Sequence, residues 1–340
     1  MKGLILNPLE PNYSAKVKRD IMGYVLVTGS NGFIGSKLVD AMLNKGYKVL
    51  GISTSDSIKK GSENYKHIKM NITHPLSVES LFDTYDIEAV IHLAAIAHLK
   101  NRKKISWNEF YRVNALASKC LFEAAINSGA NIFFASTVDV YGDKQSKYIT
   151  EESKPEPISD YAHSKQLAEQ TLIEKANLHS TNCTIARFAP VYDKGYMKDA
   201  YKRIYISHPN IAFRVGKGKD YHFVSVNNVI DFILKWLSSR EEISGIYNVV
   251  DSEYINTIDF IELEKQIGNV KKVFYIPNQL FSIIKPLLKL INLIINNEKV
   301  SKISLNIHKL TNPPRYSLKR MSSILSPKWN LENTVYNEQK

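Results

Sequence analysis

Gly23-Tyr-Val-Leu-Val-Thr-Gly-Ser-Asn-Gly-Phe-Ile-Gly35 passes from a short apolar run through three glycines into a helical pattern. Gly29, Gly32 and Gly35 form Gly-x-x-Gly-x-x-Gly, in which the missing side chains let the backbone turn tightly and approach a pyrophosphate. Such a group rests on the amides of a helix N-terminus. A glycine triplet alone is common. Its position here, between a buried strand and a helix read as Ser36 to Asn44, with Gly46 and a second strand from Tyr47 to Ile52 to follow, is what makes it informative. The pattern predicts an α/β chain: a Rossmann doubly wound parallel sheet, with a smaller C-terminal α/β lobe.

Working outward, the second strand of a dinucleotide fold normally ends in an acid that takes both ribose hydroxyls of NAD. The aligned residue is Ser53, which can donate to a 2′-phosphate, with Lys59 and Lys60 downstream and Asp56 as a substitute acid. NAD and NADP are both compatible with that end. A short strand from His67 to Met70 leads into Asn71 and Ile72, expected at the adenine. A buried strand from Ile87 ends in the small residues of Leu93-Ala94-Ala95, with His92 read as a packed strand residue. Lys100, Arg102, Lys103 and Lys104 follow it, either facing a substrate phosphate or forming an exposed loop. A helix from Trp107 to Ser128 carries Asn114, and the next strand runs from Asn131 to Ser136.

That strand ends in Ala135-Ser-Thr-Val-Asp-Val-Tyr-Gly142, placing the Thr137 hydroxyl at the sheet's carboxyl edge. Tyr161 and Lys165 then open a periodic helix. Residues four apart share a helix face, so phenol and ammonium can converge on one bound molecule. A phenol ionises near pH ~10, and a fixed cation nearby lowers that toward the range of a general base.

In order, these residues resemble the extended short-chain dehydrogenase/reductase family, in its sugar-nucleotide epimerase/dehydratase branch, from about Gly23 to Val250. The resemblance rests on Thr28-Gly-x-x-Gly-x-x-Gly35, His92-Leu-Ala-Ala95, Val113-Asn114, Ser136-Thr137, Val140-Tyr-Gly142, Tyr161-x-x-x-Lys165, Arg187 at a strand end, Phe223-Val-Ser-Val-Asn-Asn-Val229 and Gly245-Ile-Tyr-Asn-Val249. It implies that Tyr161 is the acid/base, Thr137 its hydroxyl partner and Lys165 the residue bonding the nicotinamide ribose. It also implies cofactor contacts from Gly29, Asn31, Gly32, Phe33, Ile34, Gly35, Ser53, Asn71, Ile72, Leu93, Ala94, Ala95 and Asn114, and substrate contacts from Ser136, Arg187, Lys217 and His222. Dehydratases of this branch follow the threonine with an Asp-Glu pair. Val138-Asp139 stands there instead, and valine cannot protonate a leaving group. The resemblance therefore implies an NAD(P)-dependent C4 epimerase of a nucleotide-linked or undecaprenyl-diphosphate-linked hexose or N-acetylhexosamine in surface-polysaccharide biosynthesis. The alternative is an NAD(P)H-dependent 4-ketoreductase of a 4-keto-6-deoxy sugar nucleotide, toward which Ser53 leans. Pro190, where family epimerases usually carry Asn, and Asp193, in place of a glycine, depart from the pattern. Homodimers built on helices Trp107 to Ser128 and Asp160 to Leu178 are the family expectation.

The 340 residues divide as an extension (1–21), a nucleotide-binding domain (22–189), a substrate lobe with partly interleaved Rossmann elements (190–330) and a tail (331–340). In the lobe we expect helices at Met197 to Ser207, Val226 to Ser238 and Thr257 to Gln266, and strands at Ile211 to Val215 and Ile246 to Val250. Cys120 and Cys183 support neither a disulfide framework nor a metal site. No apolar run suits a membrane span or signal peptide, so a cytoplasmic enzyme is expected. The net charge of +12 is uneven: residues 271–320 hold ten Lys or Arg against Glu298 alone. That lobe shows no recognised nucleic-acid module or stacking platform, and nucleic acid is not an expected partner. In the segment 280–297, Lys285, Lys289, Asn292 and Asn296 form a polar stripe on a Leu/Ile-rich helix. It reads as a core helix of the lobe, with an interfacial helix on anionic lipid, peripheral at the membrane's inner face, as the alternative.

Overall fold

The computed structural model describes residues 23–57, 59, 62–97, 105–142, 148–295 and 298–336. The expectations for residues 1–21, for Lys60, for the basic cluster at Lys100 to Lys104 and for Asn296 fall outside them.

Seven parallel strands form the central sheet. In chain order they are β1 (Tyr24–Thr28), β2 (Val49–Ser53), β3 (Tyr65–Lys69), β4 (Ile87–His92), β5 (Asn131–Thr137) and β6 (Cys183–Phe188). The chain then leaves for a second lobe, where it forms β7 (Tyr205–Ser207) and β8 (Asn210–Val215), and returns as β9 (Gly245–Val249) before a further lobe strand, β10 (Val270–Ile276). Spatial order across the sheet is β9-β6-β5-β4-β1-β2-β3. Period-2 alternation sends apolar side chains to both faces. On β1, Val25 and Val27 pack with Leu38 and Met42 of α1 (Phe33–Leu43), while Leu26 faces the layer holding Val78 of α2 (Pro75–Thr84).

A short helix, α3 (Trp107–Phe110), continues as a π-helical stretch, Tyr111–Leu116, and then as α4 (Ala117–Asn127). α5 (Asp160–His179) lies on the α2/α4 face, and α6 (Val226–Ser238) covers the opposite one. Thus α6 and β9, read from sequence as parts of the second lobe, complete the nucleotide-binding layer. The lobe itself pairs β8 in parallel with β10 and antiparallel with β7, beneath α7 (Thr257–Gln266) and two further helices, α8 (Asn278–Ile295) and α9 (Glu298–Thr311).

Several boundaries differ from the sequence reading, each for a tertiary reason. α1 begins at Phe33 and not Ser36, because Gly35 lies inside its first turn, where a Cβ would stand 2.2 Å from the Gly29 carbonyl oxygen. β4 stops at His92 because the Thr28 hydroxyl, and no strand carbonyl, accepts from the Ala94 amide at 3.1 Å. The helix expected from Met197 to Ser207 shrinks to Lys198–Tyr201, since Tyr205 and Ser207 pair with β8. Of the expected tail, Val335 is buried in the second lobe's core.

The Gly35 contact gives a direct check. Gly35→Ala sets a methyl against backbone that cannot swing away, an overpacking cost of roughly 2–3 kcal/mol. Thermal unfolding of the variant is expected several degrees below wild type, with dinucleotide binding weakened in parallel.

Candidate active site

The sheet order reverses between β1 and β4, which opens a crevice above the strands' carboxyl ends, where α/β sheets take ligands. A cleft of about 640 Å³ lies there, lined by Phe33, Ile34, Leu93, Ala95, Ser136, Thr137, Tyr161 and Lys165 among others. Thr137 arrives on the last position of β5. Its hydroxyl accepts from the Asp139 amide at 3.2 Å, so the residue caps the turn and lines the cleft at once. Ser159 caps α5 by accepting from the Ala162 amide at 3.1 Å, which puts Tyr161 and Lys165 in the first turns on one face.

Burial dominates the electrostatics. Lys165 is 2% exposed, with Nζ 4.2 Å from the centre of the Phe134 ring. Its pKa falls to about 7 because desolvation outweighs the nearby Glu169 carboxylate. Tyr161 is pushed up, first by burial and then by the negative charge of Asp139. The lowered phenol expected from a neighbouring cation is therefore not found in the protein alone: the cation is itself buried and faces an aromatic ring.

Around this pair the protein builds a rigid frame. The Ser118 hydroxyl donates to the Asn114 carbonyl at 2.7 Å, so it accepts from His92 Nε2 at 2.8 Å. His92 Nδ1 then accepts from Thr28 Oγ1 at 2.6 Å, and that oxygen accepts from Ala94 N. Burial lowers the pKa of His92 and keeps it neutral, as this chain of bonds requires. Asn114, expected at the cofactor, sits in the π-helical stretch with its amide fully engaged. Oδ1 accepts from Ile96 N, and Nδ2 donates to Ile96 O at 2.9 Å and to Ser164 Oγ at 3.0 Å. It ties the loop after β4 to the helix carrying Tyr161, in place of offering an amide to a ligand.

All four expected substrate residues are committed to protein partners or placed elsewhere. Arg187 is 2% exposed, and its guanidinium donates to both oxygens of Glu169, at 2.6 Å from Nη2 to Oε2. Ser136 lines the cleft, yet its hydroxyl donates to the same carboxylate. His222 is buried, donating to the Asp251 carbonyl at 2.9 Å and accepting from Tyr316 N at 3.1 Å, with its pKa lowered by burial to about 4. Lys217 is exposed and is not in the cleft lining. Sequence reasoning missed Asp139, Tyr196, Arg203 and Lys309, which do line it. Tyr196 stacks on Phe33 at 4.3 Å, and Lys309 of α9 reaches Asp139 at 3.1 Å.

The residues at the glycine turn fit a dinucleotide. Gly29 has φ of +72° and a Cβ there would meet the Ala94 backbone at 3.0 Å, while Ser30 Oγ and Asn31 Oδ1 are buried without a partner. Asn31 Nδ2 donates to Ser53 Oγ at 2.9 Å and to the Asp56 carbonyl at 2.7 Å, closing the turn against the end of β2. Ser53 also bonds His67 Nε2 at 3.0 Å, and Asp56 is exposed and paired with Lys69. Asn71 is exposed, while Ile72 is buried in the core.

Residues 25–249 match the family described as NAD dependent epimerase/dehydratase. A UDP-glucuronate 4-epimerase of Thermodesulfobacterium geofontis is 29% identical over 222 residues, covering 60% of this chain and 68% of the relative. The solved UDP-glucose 4-epimerase of Thermotoga maritima with UDP-glucose superposes at TM-score 0.69 and 23% identity, over 92% of this chain and 96% of that one. UDP-glucuronic acid 4-epimerase of Bacillus cereus in complex with NAD does so at 0.68 and 20%, over 92% and 95%.

Two outcomes follow from the buried charges. Arg187→Ala leaves Glu169 buried and uncompensated, which costs roughly 3–5 kcal/mol, so a large fall in unfolding temperature is expected where a substrate contact would alter KM alone. For Lys165 the sign runs the other way. Its folded pKa of about 7 lies below its usual value of 10.5, so between those limits the unfolded chain binds the proton and stability rises with pH. Nucleotide-free Lys165→Met should unfold at a higher temperature than wild type near pH ~6, with the gap closing toward pH ~10.

Proposed function

Because the chain belongs to the NAD-dependent epimerase/dehydratase family, we propose that it is a C4 epimerase of a hexose carried on a diphosphate, acting through a transient 4-keto sugar. The observation that carries this reading is one cleft holding Thr137, Tyr161 and Lys165 beside the glycine turn, with buried Val138 where a dehydratase needs an acid. NAD, when bound, supplies the reversible acceptor for the hydrogen and electron pair leaving C4.

The chain's own residues do the rest. Thr137 donates to the C4 oxygen and fixes its direction. Tyr161 as phenolate takes the C4 hydroxyl proton, and as phenol later returns it. Lys165, once protonated, holds a positive charge in a dry site, where it favours the phenolate over the phenol. The flat ketone can present either face, so its reduction from the opposite side inverts C4. Diphosphate recognition suits Arg203, which lines the cleft with Nε buried and unpartnered, with Lys202 and Lys309 nearby in the lining. The same reading pairs two copies across α3 to α5, where Trp107, Tyr111, Leu116 and Leu178 are exposed.

Ser53 at the end of β2, with no acid in its place, favours the second reading, a 4-ketoreductase using exchangeable NADPH. The absorbance of the purified protein and the identity of nucleotide released on denaturation separate the two. Stoichiometric NAD, with interconversion of C4 epimers among UDP-hexoses, UDP-N-acetylhexosamines or a lipid-diphosphate hexosamine, is the expected result. Tyr161→Phe and Thr137→Ala should each lower turnover by roughly 10²- to 10⁴-fold. An empty protein that oxidises NADPH with a 4-keto-6-deoxy sugar nucleotide would make it a reductase.

A further inference from the structure

Five bulky apolar side chains stand in solvent along α8: Leu280 (46% exposed), Ile283 (68%), Leu287 (54%), Leu290 (55%) and Leu293 (81%). Spacings of three and four place them in one row. This overturns the reading of 280–297 as a core helix, because another face of α8 does the packing. Phe281 is buried against Phe213 and Val215 of β8, with Ile307 and Leu310 of α9 alongside. Among the described residues no helix is long and apolar enough to cross a membrane, so the row cannot be the side of a span. α9 adds Ile303, 49% exposed.

Charge decides what can cover such a row. The sequence of α8, α9 and their junction carries Lys285, Lys289, Lys299, Lys302 and Lys309 against Glu298 alone, within the 271–320 stretch of net charge +9. A second copy meeting the row would bring a second stretch of net charge +9 toward the first, and like charges in a closing interface oppose it. A negatively charged headgroup layer over an apolar interior matches both features at once.

We propose that this face of α8 docks the protein on an anionic lipid bilayer, the leucine and isoleucine row entering the headgroup boundary and the positive charge of the 271–320 stretch drawing it to lipid phosphates. The docking does not depend on the reaction proposed above. It has a spatial consequence, since Lys309 and Leu310 at the end of α9 line the cleft. With α8 and α9 packed side by side, the cleft mouth comes within about one helix diameter, ~10 Å, of the lipid-facing helix.

Full-length protein sedimented with vesicles supplies the test. Binding is expected to vesicles of phosphatidylcholine and phosphatidylglycerol in equal parts and not to phosphatidylcholine alone, weakening at least ~10-fold on raising salt to about 0.5 M. The Ile283→Glu/Leu287→Glu variant should lose binding while keeping its unfolding temperature. Leu290→Gln/Leu293→Gln, milder changes at exposed positions, should weaken it if the first variant misfolds. No binding to anionic vesicles at low salt would overturn the proposal, as would row variants that fold and bind as wild type. Sedimentation velocity gives the remaining outcome: a concentration-dependent dimer that the row variants dissociate would assign the face to a second copy and sink the lipid assignment.

Discussion

One carboxylate without access to water holds the cleft in register. Glu169 lies one helical turn beyond Lys165 on α5, accepts from Ser136 beside Thr137 on β5, and forms the buried ion pair with Arg187 at the end of β6. Helix and two strands are thereby fixed to one point a residue or a turn away from each group proposed to act on substrate. A buried ion pair adds little net stability when whole and costs several kcal/mol when half of it is lost. That asymmetry suits a positioning device: arrangements that separate Glu169 from its partners are excluded, and Thr137 keeps its place relative to Tyr161. Tyr141 extends the frame, with the Arg187 guanidinium 4.7 Å from its ring centre and its hydroxyl donating to Asn248 of β9.

Lys165 sits against this frame with the opposite energetics. Its ammonium has a ring below it and a carboxylate one turn away, and burial still brings its pKa to about 7. The folded protein therefore bears a cost to hold a cation there, as functional sites commonly do. The phenol of Tyr161 shows the same condition. In the protein alone nothing offsets its burial, and the negative charge of Asp139 adds to the shift.

Local patterns made the fold legible from sequence, and long-range contacts account for what was not. The glycine turn and the alternation of β1 are contained within a dozen residues, so strand, turn and helix follow from backbone sterics and burial. Tyr161 and Lys165 share one helix for the same reason. Arg187 looked like a ligand-facing cation because its partner Glu169 lies 18 residues away on another element. Asn114 was on the correct helix, but the π-helical stretch that aims its amide at Ile96 and Ser164 has no signature in composition. His222 carries the cleft-facing chemistry in sequence and a structural role in space, held from both sides by backbone groups of Asp251 and Tyr316. The α8 row misled in a different way: leucines at helical spacing announce an apolar face, and only the neighbours decide whether anything covers it.

The second lobe reaches the cleft through charge as well as through shape. Asp139, two residues past Thr137, raises the pKa of Tyr161 and so opposes formation of the phenolate. Lys309, 170 residues further along the chain on α9, pairs with that carboxylate at 3.1 Å. An ion pair at a half-exposed cleft wall is individually weak. Its value lies in where it removes negative charge, since a pair facing Tyr161 perturbs the phenol less than a lone carboxylate does. Lys309 thereby ties the second lobe to the cleft wall facing Tyr161, from a helix that packs on α8 through Phe281 and leaves the apolar row uncovered.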